Sequence, residues 1–464
     1  MIQLLQEISP ETRELSAHIA DALSRPLPAE VAEKARHHIL DTLAAMVSGS
    51  RLAAGRAAIA FVQRFGGTRE ASVAGSRLVT SAINAALANG MLAHADETDD
   101  SHAPSRNHPG CAVVPAALAA AETTRASGEK LLRAVVLGYD VASRVNHALG
   151  ADALAAAGRL PHSFGGTFGA GAAAAALFGV DALKARHLLS FCAQQASGVG
   201  CSVRDLDHIE KAFDFGGMPA RNGVTAAAMV ASGFTGVDDV FSGERNFLQA
   251  CAPDPNPGEL ARDLGQRFEI LATNIKKWPA GSPAQSAIDA LLHLMEDDGV
   301  SAGGIETIIV HLPARSARTV DDAPMPDVNV QHLLAMLLVD GKLTFGSIHD
   351  HGRMRDPAIL ALKRRIELVA SEDLMHALPR RQAIVDVVLR DGRRLSHRTI
   401  AVRGTADNPM DRGEVEAKAR DLMVDVLGSR RTARLIRSIR NLASVEDVAR
   451  LRRLWQADTP PVAT

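Results

Sequence analysis

The chain has 464 residues and a formal net charge of −2 at pH 7, so it carries no strongly basic face for a nucleic-acid partner. Hydrophobic residues make up 47% and aromatics only 3%, which excludes an aromatic-rich β-sandwich core and favours closely packed helices built on alanine and leucine. A chain this long outgrows one core, and two domains are expected.

The N-terminus, Met1 to Pro10, lacks the basic and apolar regions of a signal peptide. From Ser9-Pro10-Glu11, a capping hydroxyl and a first-turn proline, to about residue 250 the chain reads as helix after helix. Val31–Val47, Ser81–Ala95, Ala112–Ala121, Lys130–Ala148, Gly169–Phe178, Asp181–Ala196 and Gly223–Ser232 all carry helical spacing or composition. The longest apolar run, Thr167 to Val180, is too short to span a bilayer, so a soluble protein with no membrane partner is expected. Four dispersed cysteines (Cys111, Cys192, Cys201, Cys251) with no CxxC spacing fit buried thiols in a reducing cytoplasm.

The character changes at Pro253-Asp-Pro-Asn-Pro-Gly258, which reads as a linker. Beyond it, Glu306–Leu312 and Ala383–Leu389 carry strand signals, and Arg390-Asp-Gly-Arg393 closes a hairpin with a second strand running to Val402. Amphipathic helices follow from Glu414, and the arginines between Arg430 and Arg453 read as a solvated helical face. The expected fold is mainly α: a large helical domain (1–260 with 404–464) and a smaller α+β domain (261–403) inserted before the C-terminal helices.

Chemistry concentrates in four places. Glu97-Thr-Asp-Asp100-Ser101-His-Ala-Pro-Ser-Arg-Asn-His108 sets carboxylates, a hydroxyl and imidazoles between two apolar helices, either as a catalytic pocket or as a polar loop of helix caps. A metal is a further reading of such residues, but the spacing matches no ligand template and none is expected. His162 leads a glycine-rich segment, Gly158 to Gly171, that lacks the βαβ context of a dinucleotide site. It sits either at a cavity rim or as a satisfied core histidine.

Lys211, between apolar neighbours before Gly216-Gly217, is either a base with a lowered pKa, a partner for a substrate carboxylate, or a surface lysine paired with Glu210 or Asp214. Lys276-Lys277-Trp278 offers adjacent cations, and His349-Asp-His351 reads as a loop. With no nucleophile elbow, P-loop or HExxH, this inventory suits removal of a proton α to a carboxylate without an organic cofactor.

Several motifs in order make the chain resemble the MmgE/PrpD family, which includes 2-methylcitrate dehydratase, cis-aconitate decarboxylase and iminodisuccinate epimerase. They are Val31 to Leu43, Leu92 to Leu118, Gly138 to Arg144, His162 to Ala176, Lys211 to Val224 and Ile275 to Leu291. The resemblance implies a helical domain with an α+β lid, a site between them, no cofactor and a homodimer. It puts His108, His162, Lys211 and Lys276 in the pocket as catalytic residues with Glu97 and Ser101 at a small carboxylate substrate, and Asp100, Arg204, Lys277 and Gln285 are expected as further substrate contacts. The family more often has Asp at position 97 and Thr at 101, and often histidines where this chain has Gly281 and Gln285. The implied activity is a lyase, first a dehydratase of a hydroxylated di- or tricarboxylate, with an epimerase and a decarboxylase as alternatives.

Overall fold

A computed structural model describes residues 8–457. The leader reading above rests largely on residues 1–7, outside this range. Of the described residues, 8–95, 99–273 and 422–457 form one compact unit, and 96–98 with 274–421 form a second. The fold is mainly α, with strands concentrated in the second unit. No helix among the described residues is long and apolar enough to cross a membrane.

Helix starts in the first unit follow their caps. Ser9 Oγ accepts the Thr12 N–H at the head of α1 (Pro10–Asp21), and α2 (Ala29–Gly49) follows after Pro28. Ser81 caps α3 (Ala82–Ala93), Pro109 opens α4 (Pro109–Thr124) and Ser127 caps α5 (Gly128–Leu149). Each side-chain cap satisfies one of the N–H groups a helix leaves unbonded, worth about 1 kcal/mol.

The next helix, α6 (Pro161–Leu177), starts eight residues earlier than its periodicity suggested, because Pro161 initiates it and the glycines that read as a turn lie inside it. Those glycines cost helix propensity but admit close neighbours: a Cβ on Gly169 would collide with the Gly138 carbonyl of α5. Buried along nearly its whole length, α6 packs against α4, α5 and α8 (Met218–Ala231), after α7 (Ala182–Gln195). A two-stranded ribbon, β1 (Ala71–Ser72) with β2 (Val79–Thr80), completes the β structure of this unit.

In the second unit α9 (Gln285–Asp297) packs with a four-stranded sheet of order β4-β3-β5-β6. Strand β3 (Ile305–Pro313) pairs parallel with β4 (Ile366–Ser371) and antiparallel with β5 (Ala383–Leu389), Ile308 facing Ile366 and Val387. The expected hairpin joins β5 to β6 (Arg394–Thr399), with Gly392 at φ 89° in the turn. Strand β4 was not anticipated; its residues alternate weakly in burial, and their pairing is fixed by β3 rather than by local pattern.

Candidate active site

Fifteen residues, 94–108, separate the end of α3 from the start of α4. His94 is the C-cap of α3 and His108 the N-cap of α4. Between them the fully buried Asp99 offers one carboxylate oxygen to each ring: Oδ2 lies 2.9 Å from His94 Nδ1 and Oδ1 3.0 Å from His108 Nδ1. Its neighbour Asp100 turns to the core, accepting from Tyr139 Oη (2.5 Å) and the Gly110 N–H (2.9 Å) and pairing with His38 Nδ1 (2.7 Å). Gly110 is required there, since a Cβ would stand 2.8 Å from both Asp100 oxygens.

Lys211 lies in a short helix, Ile209–Ala212, which runs into a π-helical turn over Phe213–Gly217. The segment before it is organised by Asp205, whose carboxylate accepts the N–H groups of Asp207, Glu210 and Lys211. The π-turn lies against α3 through glycines: a Cβ on Gly90 or Gly216 would run into the other residue's carbonyl. That approach sets Phe215 beside His94. The two rings stack at 4.3 Å and 5°, His162 stacks on Phe215 at 4.0 Å, His108 meets it edge-on at 5.6 Å, and Lys211 Nζ lies 5.4 Å from its centre. His208, at φ 58°, adds a further ring 5.1 Å from His94.

Three of the four expected catalytic residues, His108, His162 and Lys211, therefore meet around Phe215. A π-turn re-aims side chains that a regular helix would spread around its axis. His162 sits in the first turn of α6, and burial, then the nearby His108, His94 and Lys211, hold its pKa well below the ordinary imidazole range. It is neutral near pH 7. Its Nδ1 and the Nε2 of His94 are buried with no hydrogen-bond partner among the described residues, as is Ser101 Oγ. Each such atom costs about 1–3 kcal/mol, a cost that a bound polar ligand would relieve.

Two groups in this unit bring metal-ligand types together, His94–Asp99–Cys111 and His102–His147–Glu269. In the first, Cys111 Sγ points its S–H at the carbonyls of His108 and Phe215, as a protonated thiol does, and Asp99 is engaged by two imidazoles. In the second, His102 Nδ1 accepts the Ser105 N–H (3.2 Å), and its Nε2 lies 3.1 Å from Glu269 Oε2. Cys111 is thus taken up by backbone carbonyls and Asp99 by its two imidazoles, while His102 and Glu269 face each other.

The second unit holds the remaining residues. Lys276 is buried, its ammonium donating to the Glu97 carbonyl (2.7 Å) with Glu97 Oε2 at 3.3 Å. His349, expected in a loop, packs its Nε2 2.9 Å from Asp96 Oδ2, and the partnership raises its pKa against burial while lowering that of Asp96. Lys277 diverges from Lys276 into a cleft of about 360 Å³ lined by Asp289, His293, His397 and Arg403, with its Nζ 5.0 Å from the Trp278 ring centre. Gln285 is buried, its amide spent on the backbone of Trp278 and Ala280. Arg204, in the first unit, is exposed.

His94, Asp99, His208 and Phe215 were not singled out from the sequence. Asp99 stood in the motif without a role, and a histidine closing an alanine-rich helix just before an acidic run was the available signal for His94.

The MmgE/PrpD N-terminal domain model matches residues 13–260, and its C-terminal counterpart matches 278–444. The chain belongs to the MmgE/PrpD family. It is similar to the cis-aconitate decarboxylase-like protein oryM of Aspergillus oryzae, with 26% identity over 95% of this chain and 96% of that protein. Cis-aconitate decarboxylase of Homo sapiens is 25% identical over 93% of this chain and 91% of its own length, and that of Aspergillus terreus 21% identical over 78% and 79%. As a member of the MmgE/PrpD family, the chain is a lyase. The expectation drawn from its motifs agrees with this result.

Proposed function

We propose that this MmgE/PrpD protein is a dehydratase that removes the α-proton of a small hydroxylated di- or tricarboxylate. The reading is carried by the gathering of His94, His108, His162 and Lys211 around Phe215, with Asp99 on the Nδ1 side of two rings. An imidazole that donates from Nδ1 keeps its Nε2 lone pair for a proton, and it is therefore a base at rest. His108 takes the α-proton at Nε2, and the electron pair moves into the neighbouring carboxylate as an enediolate. The Lys211 ammonium offsets that charge at low dielectric. Collapse of the enediolate forms C=C and breaks the C–O bond, and the hydroxyl leaves as water with a proton from the imidazole cluster. The partnerless hydroxyl of Ser101 is proposed as a substrate donor.

A second reading is decarboxylation, favoured by the names of the relatives, all of which are cis-aconitate decarboxylases or similar to one. There a C–C bond breaks to release CO₂, and the carbon left with the electron pair takes a proton from an imidazole. We also propose a cytoplasmic homodimer. The reading draws on the exposed side chains of Val199, Val203, Leu206, Phe61 and Phe65, apolar groups of the kind a subunit contact covers.

Proton NMR in deuterated water separates the reactions. Hydroxylated di- and tricarboxylates and cis-aconitate are each incubated with the full-length protein. A dehydratase gives a new vinyl signal with loss of water, an epimerase gives deuterium at Cα without elimination, and a decarboxylase gives a product one carbon shorter. No exchange or turnover across the panel would contradict α-proton chemistry on this substrate class.

A further inference from the structure

Asp99 holds two imidazoles with one carboxylate. Its Oδ2 and Oδ1 lie 2.9 and 3.0 Å from Nδ1 of His94 and His108, and it is fully buried. A carboxylate only accepts hydrogen bonds, so both Nδ1 atoms carry hydrogen. In a neutral ring that leaves the lone pair on Nε2. The arrangement is over-determined: the rings sit at opposite helix ends, His94 closing α3 and His108 opening α4, and they pack edge-to-face at 5.3 Å. Stacking on Phe215 fixes the plane of His94. The His94 Nε2 is buried without a hydrogen-bond partner, as is the Nδ1 of His162.

We infer that Asp99 is a positioning residue that sets both His94 and His108 as Nε2 acceptors, making His94 a second imidazole directed at the substrate. The inference rests on the α-proton reading above for its kinetic consequence but not for its tautomers. Asn at position 99 has one acceptor oxygen and one NH₂ donor. It can hold Nδ1–H at one ring only and drives the other ring to protonate Nε2. Loss of an orienting carboxylate in a serine-protease triad lowers kcat by about 10⁴ through the same tautomer error.

The test has two arms on the full-length protein. In the first, ¹⁵N-histidine-labelled wild type is examined by two-bond ¹⁵N–¹H correlation at pH 7.5, with His94→Gln and His108→Gln to assign the signals. Both rings are expected as Nδ1–H tautomers, and Asp99→Asn is expected to convert one of them to Nε2–H. In the second, Asp99→Asn is assayed on whichever acid the panel identifies, with cis-aconitate as the reference probe. A fall in kcat of about 100- to 1000-fold with KM within threefold is expected. Nε2–H at either ring of the wild type overturns the inference whatever the reaction is, and so does an Asp99→Asn variant that keeps wild-type kcat. Correct tautomers with an inert acid panel leave the positioning role intact and remove the proposed reaction instead.

Discussion

Asp99 and Asp100 are adjacent carboxylates with separate tasks. Asp99 meets the two imidazoles of the site, while Asp100 meets His38, Tyr139 and the Gly110 N–H in the core. Burial holds His38 near pKa 4 despite its carboxylate partner and pushes the Tyr139 phenol well up, so a neutral imidazole and a neutral phenol meet at Asp100. Removing part of this network strands buried donors. Asp100→Asn is expected to cost about 3 kcal/mol of stability, read as a lowered unfolding midpoint in denaturant. A midpoint equal to wild type would show that the network contributes nothing. From sequence Asp100 was expected at the substrate and Asp99 had no role, because a motif gives residue types and spacing, whereas which carboxylate turns to the core depends on which helix lies behind each side chain.

At the scale of elements, the site depends on a helix terminus and a π-turn brought close by glycine. Helices α3 and α4 were readable from apolar runs and caps, and their ends put His94 and His108 where the chain must cross from one helix to the next. The π-turn was not readable. Phe213–Gly217 has no periodic signature of its own, and its role depends on Gly216 meeting Gly90 from another part of the chain. Lys211 therefore looked like one lysine among others until Phe215 gave it a place. Gly216→Ala would put a methyl group into the Gly90 carbonyl, and about 2–3 kcal/mol of destabilisation is expected, with activity falling further than stability because Phe215 moves. Calorimetry and the NMR assay on the same sample test this, and unchanged values for both would contradict the role given to the close approach. Strand β4 escaped notice for a similar reason, since its partner β3 lies more than fifty residues away in sequence.

Across the whole molecule, buried titratable groups set the pH dependence of stability. His18 and His38 have folded pKa values of about 4, lowered mainly by burial, against 6.5 unfolded. Below pH 6.5 the unfolded chain takes up protons that the folded chain refuses, so their contribution is intact above 6.5 and is lost as the pH falls toward 4. His162 acts in the same direction. Asp140, raised to about 7 by burial, opposes them, because the folded state binds its proton first as the pH falls from 7. His332, held at about 4 mainly by burial, adds to the histidines, while the raised carboxyls of Glu122, Asp214 and Asp289 add to Asp140, and a net fall in stability of roughly 1–3 kcal/mol per pH unit is expected between 6 and 5. Denaturant unfolding at pH 7.5, 6 and 5 measures this; a flat or rising profile would contradict the buried neutral histidines.

The proposed reaction stands on an imidazole beside Phe215 removing the α-proton and on the Lys211 ammonium stabilising the enediolate that forms. The most direct measurement compares wild type and Lys211→Ala in the deuterated-water NMR assay on the acid that the wild type turns over, with circular dichroism confirming the fold. Lys211→Ala is expected to lose at least about 1000-fold in kcat/KM, some 4 kcal/mol of transition-state stabilisation, in both turnover and Cα exchange. A folded Lys211→Ala protein with wild-type turnover would contradict the proposed role of Lys211.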